Sequence, residues 1–255
     1  MLGAIAGDII GSRFEGHAAP RRSFALFHPR CRFTDDTVCT IAIAAALMGD
    51  RDYASALRAF VRQHPNRGYA SMFRRWAHTD HAPAYGSWGN GAPMRVSAVG
   101  WLAADETEAL DVAEAQAAVT HNHPDAIAAA QAVALTILLG RHGKPVEVLR
   151  ERITAQFGYD LTPETALRPG RFDVSAAGTV PPALAAVFEA RDWEGAVRTA
   201  VALGGDADTL GCIAGAVAEA VHGLPADIAR TARTYLSEDL DAVVTRFEPF
   251  LPART

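Results

Sequence analysis

The chain has 255 residues and 27.1 kDa, with 49% apolar residues, 21% charged residues and a formal net charge of -5. That size and balance suit one globular domain, residues 1–255, with a sizeable core. No basic run is longer than the pairs Arg21-Arg22 and Arg74-Arg75, which argues against specific nucleic-acid binding through phosphate neutralisation. Three scattered cysteines, Cys31, Cys39 and Cys212, make neither a disulfide framework nor a zinc motif, so a reducing, cytoplasmic setting is expected. Met1 to Gly11 lacks a basic leader and carries Asp8, unlike a signal peptide. Val38 to Met48 falls short of the roughly 18 apolar residues of a membrane span.

In chain order, Gly3 to Glu15 (GAIAGDIIGSRFE) reads as a helix with glycines at 3, 7 and 11. Their spacing strips one face of side chains and permits close packing. Asp8 and Glu15 lie on roughly one side of it, and Glu15 is better placed to reach a functional centre because a loop follows, over 16–32. Thr37 to Met48 is apolar nearly all round, as in a helix surrounded by others, and Tyr53 to Gln63 is more amphipathic. Residues 66–68 and 78–91 read as irregular. Pro93 to Ala103 has proline in its first turn, and Glu108 to Val119 and the Ala-dense Pro124 to Leu139 follow. Val146 to Phe157 precedes a further irregular stretch, 162–178. Pro181 to Glu189, Trp193 to Leu203, Thr209 to His222 and Ala226 to Leu236 complete the helices. Alanine favours helix and period-two alternation is nearly absent, so the fold is expected to be all-α, without an internal repeat.

Two acidic clusters, Thr34-Asp35-Asp36-Thr37 and Asp206-Ala207-Asp208-Thr209, stand before long helices at opposite ends of the chain. A helix cap explains one member of each cluster, not paired acids in both. Carboxylates brought together need cations, and hard oxygen ligands suit Mg²⁺ or Mn²⁺ rather than zinc. Thr34 and Thr209 can add neutral oxygens. Two ions about 3.5–4 Å apart can clamp a diol and polarise attacking water. The stretch Gly86 to Arg95 (GSWGNGAPMR) runs three glycines into a helix start, where free N–H groups suit a diphosphate. In Thr120 to Pro124 (THNHP), His121 and His123 read as capping, substrate-bonding or solvent-facing residues more than as zinc ligands. Cys39, Cys212, Met94 and Trp88 read as packing residues, with Trp88 also able to stack on a base.

Together these stretches resemble the ADP-ribosylglycohydrolase family over nearly the whole chain. The pattern G-x-x-x-G-D-x-x-G-x-x-x-E falls on Gly3, Gly7, Asp8, Gly11 and Glu15. T-D-D-T falls on Thr34 to Thr37, G-N-G-x-x-M-R on Gly89 to Arg95, and G-G-D-x-D-T on Gly204 to Thr209. The resemblance implies a compact, single-domain, all-α orthogonal helical bundle around a dinuclear Mg²⁺ or Mn²⁺ centre. It carries the ligand roles onto Thr34, Asp35, Asp36, Asp206, Asp208 and Thr209, and makes Glu15 the near-metal acid. Gly89, Asn90, Gly91 and Met94 then belong to the diphosphate loop, Tyr69 and Ser71 to a substrate loop, and His123 to the substrate pocket. Ala70 stands where the family more often has glycine, and the region 175–180 offers no aspartate after Asp173.

The resemblance implies hydrolysis of the bond between ADP-ribose and a modified protein side chain, arginine N-linked or serine O-linked. Asp36 or Glu15 is the expected base or proton shuttle. The rivals are a hydrolase of small conjugates such as O-acetyl-ADP-ribose and an inactive ADP-ribose-binding module.

Overall fold

The computed structural model describes residues 1–169 and 172–251. Among them no strand forms; an isolated bridge joins Gly89 and Ser175. α1 (Leu2–Gly11), α2 (Asp35–Leu47), α3 (Tyr53–Gln63) and α4 (Ser71–Ala77) come first. A broken middle follows with α5 (Gly91–Met94), α6 (Ser97–Leu102), α7 (Glu106–Ala118) and α8 (Pro124–Arg141). After α9 (Val146–Phe157) and α10 (Pro163–Ala166) come α11 (Ala176–Phe188), α12 (Trp193–Val201) and α13 (Ala207–Val221). α14 (Ala226–Arg233), α15 (Glu238–Phe247) and a 3₁₀ turn at Glu248–Phe250 close the described chain. The expected all-α bundle is what forms. Among the described residues no helix is long and apolar enough to cross a membrane.

α13 is the axis. Every residue from Ala207 to Glu219 is buried, because α1, α8, α11 and α12 all pack on it. The tightest pairing is with α1. A Cβ on Gly3 would lie 2.3 Å from the Gly215 carbonyl oxygen, one on Gly7 1.9 Å from that of Gly211, and one on Gly11 2.3 Å from that of Ala207. The glycine face read from the sequence is therefore answered by Gly211 and Gly215 on α13, and the paired positions descend as the others rise. The two helices run antiparallel, backbone on backbone. This sets the end of α1 against the start of α13.

The start of α2 joins the same place. Asp8, buried near the end of α1, accepts hydrogen bonds from the Thr34 and Thr37 backbone N–H groups at 2.9 and 3.2 Å, and from both hydroxyls. Two helix N-termini thus converge beside the end of α1, where their partial positive charge favours carboxylates.

Several boundaries differ from the sequence reading. The first helix stops at Gly11, not Glu15: the Ser12 hydroxyl bonds back to the Ile9 carbonyl at 2.8 Å and Phe14 N–H turns back to Gly11. The segment 93–103 is two helices, because Arg95 and Val96 leave the helix where Arg95 reaches into α7. α11 begins at Ala176, not Pro181. Ser175 caps it by accepting from Gly178 N–H at 2.9 Å, and the prolines at 181 and 182 sit inside it. α4, α10 and α15 have no counterpart in the sequence reading, although α15 buries Leu240, Val243, Val244 and Phe247 at helical spacing.

Candidate metal centre and ligand cavity

The acids converge. Oxygens of Asp8, Asp36 and Asp208 lie within 4.8 Å of one another, and so do those of Glu15, Asp206 and Asp208, with Asp208 common to both groups. The turn before α13 contains Gly204 and Gly205, both left-handed at φ +76° and +70°, a conformation that glycine adopts without steric cost. It delivers Asp206 to the helix start.

Capping does not use these acids. Thr34 caps α2 by accepting from Asp36 N–H, and Asp206, at the N-cap position of α13, makes no cap hydrogen bond with its side chain. Asp206 is held instead by Asn90, whose Nδ2 donates to it at 2.6 Å and to Thr179 Oγ1 at 3.1 Å. Asp36 Oδ2 stands 3.4 Å from both the Thr34 and Thr209 hydroxyls. Asp36 Oδ1 and Asp208 Oδ1 are buried and make no hydrogen bond among the described residues.

Such crowding moves protons. Burial first, then neighbouring acids, push Asp35, Asp36 and Asp208 well above the usual carboxylate range. Burial raises Asp8 to about 6, against the hydrogen bonds from Thr34 and Thr37. Glu15 is raised by burial and then by Asp206. None of these acids forms an ion pair with a basic residue among those described. Orphaned buried oxygens with no counter-charge are what a hard divalent cation satisfies. The His, Cys, Asp and Glu side chains clustered here among the described residues are all carboxylates, hard oxygen donors whose chemistry fits a hard divalent cation.

The acids open onto a cavity of about 570 Å³, within the range of small-molecule sites. Glu15, Asp35, Asp36, Asp206, Asp208 and Thr209 line part of it. Ser71, Gly89, Asn90, Gly91 and Met94 line more. Three residues expected at the site lie outside this lining. Thr34 sits behind Asp36, its hydroxyl donating to Asp8 Oδ1 at 2.7 Å, so it braces the acids. Tyr69 points away, its hydroxyl donating to the His64 carbonyl at 2.8 Å. His123 is the N-cap of α8, accepting from Asp125 N–H at 3.2 Å. The cavity takes His121 instead.

The glycine loop also departs from expectation. Its N–H groups at Gly86, Ser87, Gly89 and Asn90 already donate to Asn122, Thr120, Ser87 and Val174, so those four are not free for a diphosphate. Trp88 is 53% exposed, which corrects its reading as a packing residue. With Met72, Phe172 and Val174, all exposed and all lining the cavity, it forms an apolar mouth. Cys39 and Cys212 are fully buried, as expected. Sequence reasoning gave no role to Arg95, which is fully buried. Its signal was an arginine inside an otherwise apolar run.

The ADP-ribosylglycohydrolase family model matches residues 1–250. A solved structure described as an ADP-ribosylglycohydrolase-related protein complex is 26% identical, covering 98% of this chain and 96% of that one at a TM-score of 0.71. The acidic helix starts, the cavity they open onto and this end-to-end match agree: the chain belongs to the ADP-ribosylglycohydrolase family.

Proposed function

We propose that the protein is an Mg²⁺- or Mn²⁺-dependent hydrolase that cleaves the glycosidic bond between ADP-ribose and a modified protein side chain, arginine N-linked or serine O-linked. The observation that carries this reading is the pair of orphaned, buried oxygens on Asp36 and Asp208 at the wall of a nucleotide-sized cavity. Asp208, shared by both acidic groups, would hold the divalent metal together with oxygens of Asp35, Asp36, Asp206 and Thr209, with Asp8 and Thr34 behind them. Bound divalent ions would neutralise these acids and orient the ribose hydroxyls.

The residues of the chain do the rest. Glu15 is only partly buried, lines the cavity and holds its proton more tightly than a free glutamate. It is therefore suited to carry a proton at its carboxylate between water and the leaving group. Asp36 is more deeply enclosed among acids and serves better as an oxygen ligand. Asn90 holds Asp206 in place, and the apolar mouth at Trp88 and Phe172 offers faces for a base or an acceptor surface.

Three free, buried thiols support a cytoplasmic setting. A contiguous core from α1 to α15 supports reading the chain as one domain. The test is release of ADP-ribose from arginine-linked, serine-linked and O-acetyl substrates by chelated enzyme, with each metal added back. Asp208→Asn should abolish metal-dependent turnover on whichever substrate the wild type cleaves. Full turnover in chelator sinks the reading, and cleavage of the O-acetyl ester alone moves it to small conjugates.

A further inference from the structure

His121 is buried beside the glycine loop, flanked by the rings of Phe73 from α4 and Tyr85 from the following loop, at 6.5 and 6.1 Å between centroids. Its surroundings decide which ring nitrogen carries the proton. Arg95 Nε donates to Gln116 Oε1 at 2.8 Å, and Arg95 Nη2 donates to the Gln116 carbonyl at 2.7 Å and to Thr120 Oγ1 at 3.0 Å. Thr120 Oγ1 lies 2.7 Å from His121 Nδ1. A threonine hydroxyl has a single hydrogen to give. Among the described residues its only acceptor is Nδ1, since the guanidinium brings donors alone. The hydroxyl hydrogen therefore points at Nδ1, and a neutral imidazole that accepts at Nδ1 carries its own hydrogen on Nε2.

Nε2 makes no hydrogen bond among the described residues. It stands over the loop: a Cβ on Gly91 would lie 2.7 Å from it and one on Gly89 3.8 Å. Gly91, lacking a side chain, leaves room beside the Nε2–Cε1 edge of the ring, and His121 lines the cavity. We propose that Arg95 and Thr120 are positioning residues which lock His121 as a neutral Nε2–H donor directed into the cavity, for an anionic or carbonyl oxygen of the bound ligand. Neither the proton-acceptor role nor metal ligation is open to a nitrogen held in that state. A second proton would have to enter at Nδ1, against the Thr120 hydroxyl and beside the Arg95 charge. Arg95 is the charged group facing the ring and Tyr85 the other titratable one. Burial, then Arg95, accordingly holds the ring well below the ordinary histidine range.

The ligand named in this inference rests on the ADP-ribose reading; the tautomer does not. Imidazole nitrogen NMR of the wild type should show Nε2 protonated and Nδ1 bare from about pH 5.5 to about pH 8, where an unperturbed histidine titrates. Thr120→Val removes the hydroxyl with little change of shape. It should mix the tautomers, weaken ADP-ribose binding about tenfold, as expected for loss of one oriented hydrogen bond, and make that binding depend on pH. Thr120→Ser should restore all three readouts. A wild-type ring protonated at Nδ1, or a Thr120→Val spectrum identical to the wild type, overturns the proposal. Failure of ADP-ribose to bind even the wild type sinks the substrate reading alone, because the spectrum still reports the tautomer.

Discussion

Asp8 has no access to solvent, and its carboxylate is occupied by two backbone N–H groups and two threonine hydroxyls. It ties the end of α1 to the start of α2, and the sequence signalled it as a lone charge in an apolar, glycine-spaced helix. Its partners Asp36 and Asp208 keep unsatisfied oxygens at a cost that only a cation or a proton relieves. The pH dependence follows. A carboxyl whose folded pKa is raised binds its proton more tightly in the folded than in the unfolded state, so stability falls as pH rises through the window between the two values. For Asp8 that window runs from the ordinary aspartate value of 3.8 to about 6, and Asp35, Asp36 and Asp208 extend it upward. Chelated protein should melt at progressively lower temperature from about pH 5 to about pH 8, and added Mg²⁺ should flatten the trend. A chelated protein whose melting temperature climbs over that range contradicts the arrangement. Asn90→Ala should weaken Mn²⁺ binding by about 10–100-fold in calorimetry, the usual cost of releasing a partner that orients a ligand, because Asp206 loses its 2.6 Å bond.

Among the helices, the α1–α13 pairing carries the largest geometric constraint. The Gly7 position leaves 1.9 Å between a notional Cβ and a backbone oxygen, and backbone cannot rotate aside. Gly7→Ala should therefore cost about 3 kcal/mol, the upper end of ordinary overpacking, read as a lower urea midpoint, and should loosen metal binding because Asp8 and Ala207 sit on the displaced faces. Gly143→Ala is the contrast. Nothing lies within 4 Å there, but φ is +72°, so any loss is conformational and leaves the metal centre alone. Helix existence was readable wherever amphipathic periodicity or alanine content was strong, as for α3 and α8 respectively. Boundaries failed where tertiary contacts outweighed local preference. Arg95 breaks the 93–103 segment by bonding to Gln116 on α7, and the Ser175 cap starts α11 ahead of two prolines that read as a helix start.

Across the whole molecule, the proposed cation binding would be linked to folding. The acids come from α1, α2, the turn before α13 and α13 itself, and the unfolded chain holds no such cluster. A cation at about a hundred times its dissociation constant should stabilise the protein by about 2.7 kcal/mol, seen as a higher melting temperature that chelator reverses. The same melt on Asp208→Asn should show little of that gain. The sequence by itself determined the helical class, the glycine face of α1 and the two acidic starts, since each rests on local spacing and residue chemistry. Tertiary structure alone decided that α13 answers the glycines of α1, that His121 rather than His123 lines the cavity, and that Asn90 and four of the glycine-loop amides are spent on the protein. Those outcomes depend on which distant donor meets which acceptor. Neighbours in sequence carry no record of that, because packing assigns the partners only after the helices have come together.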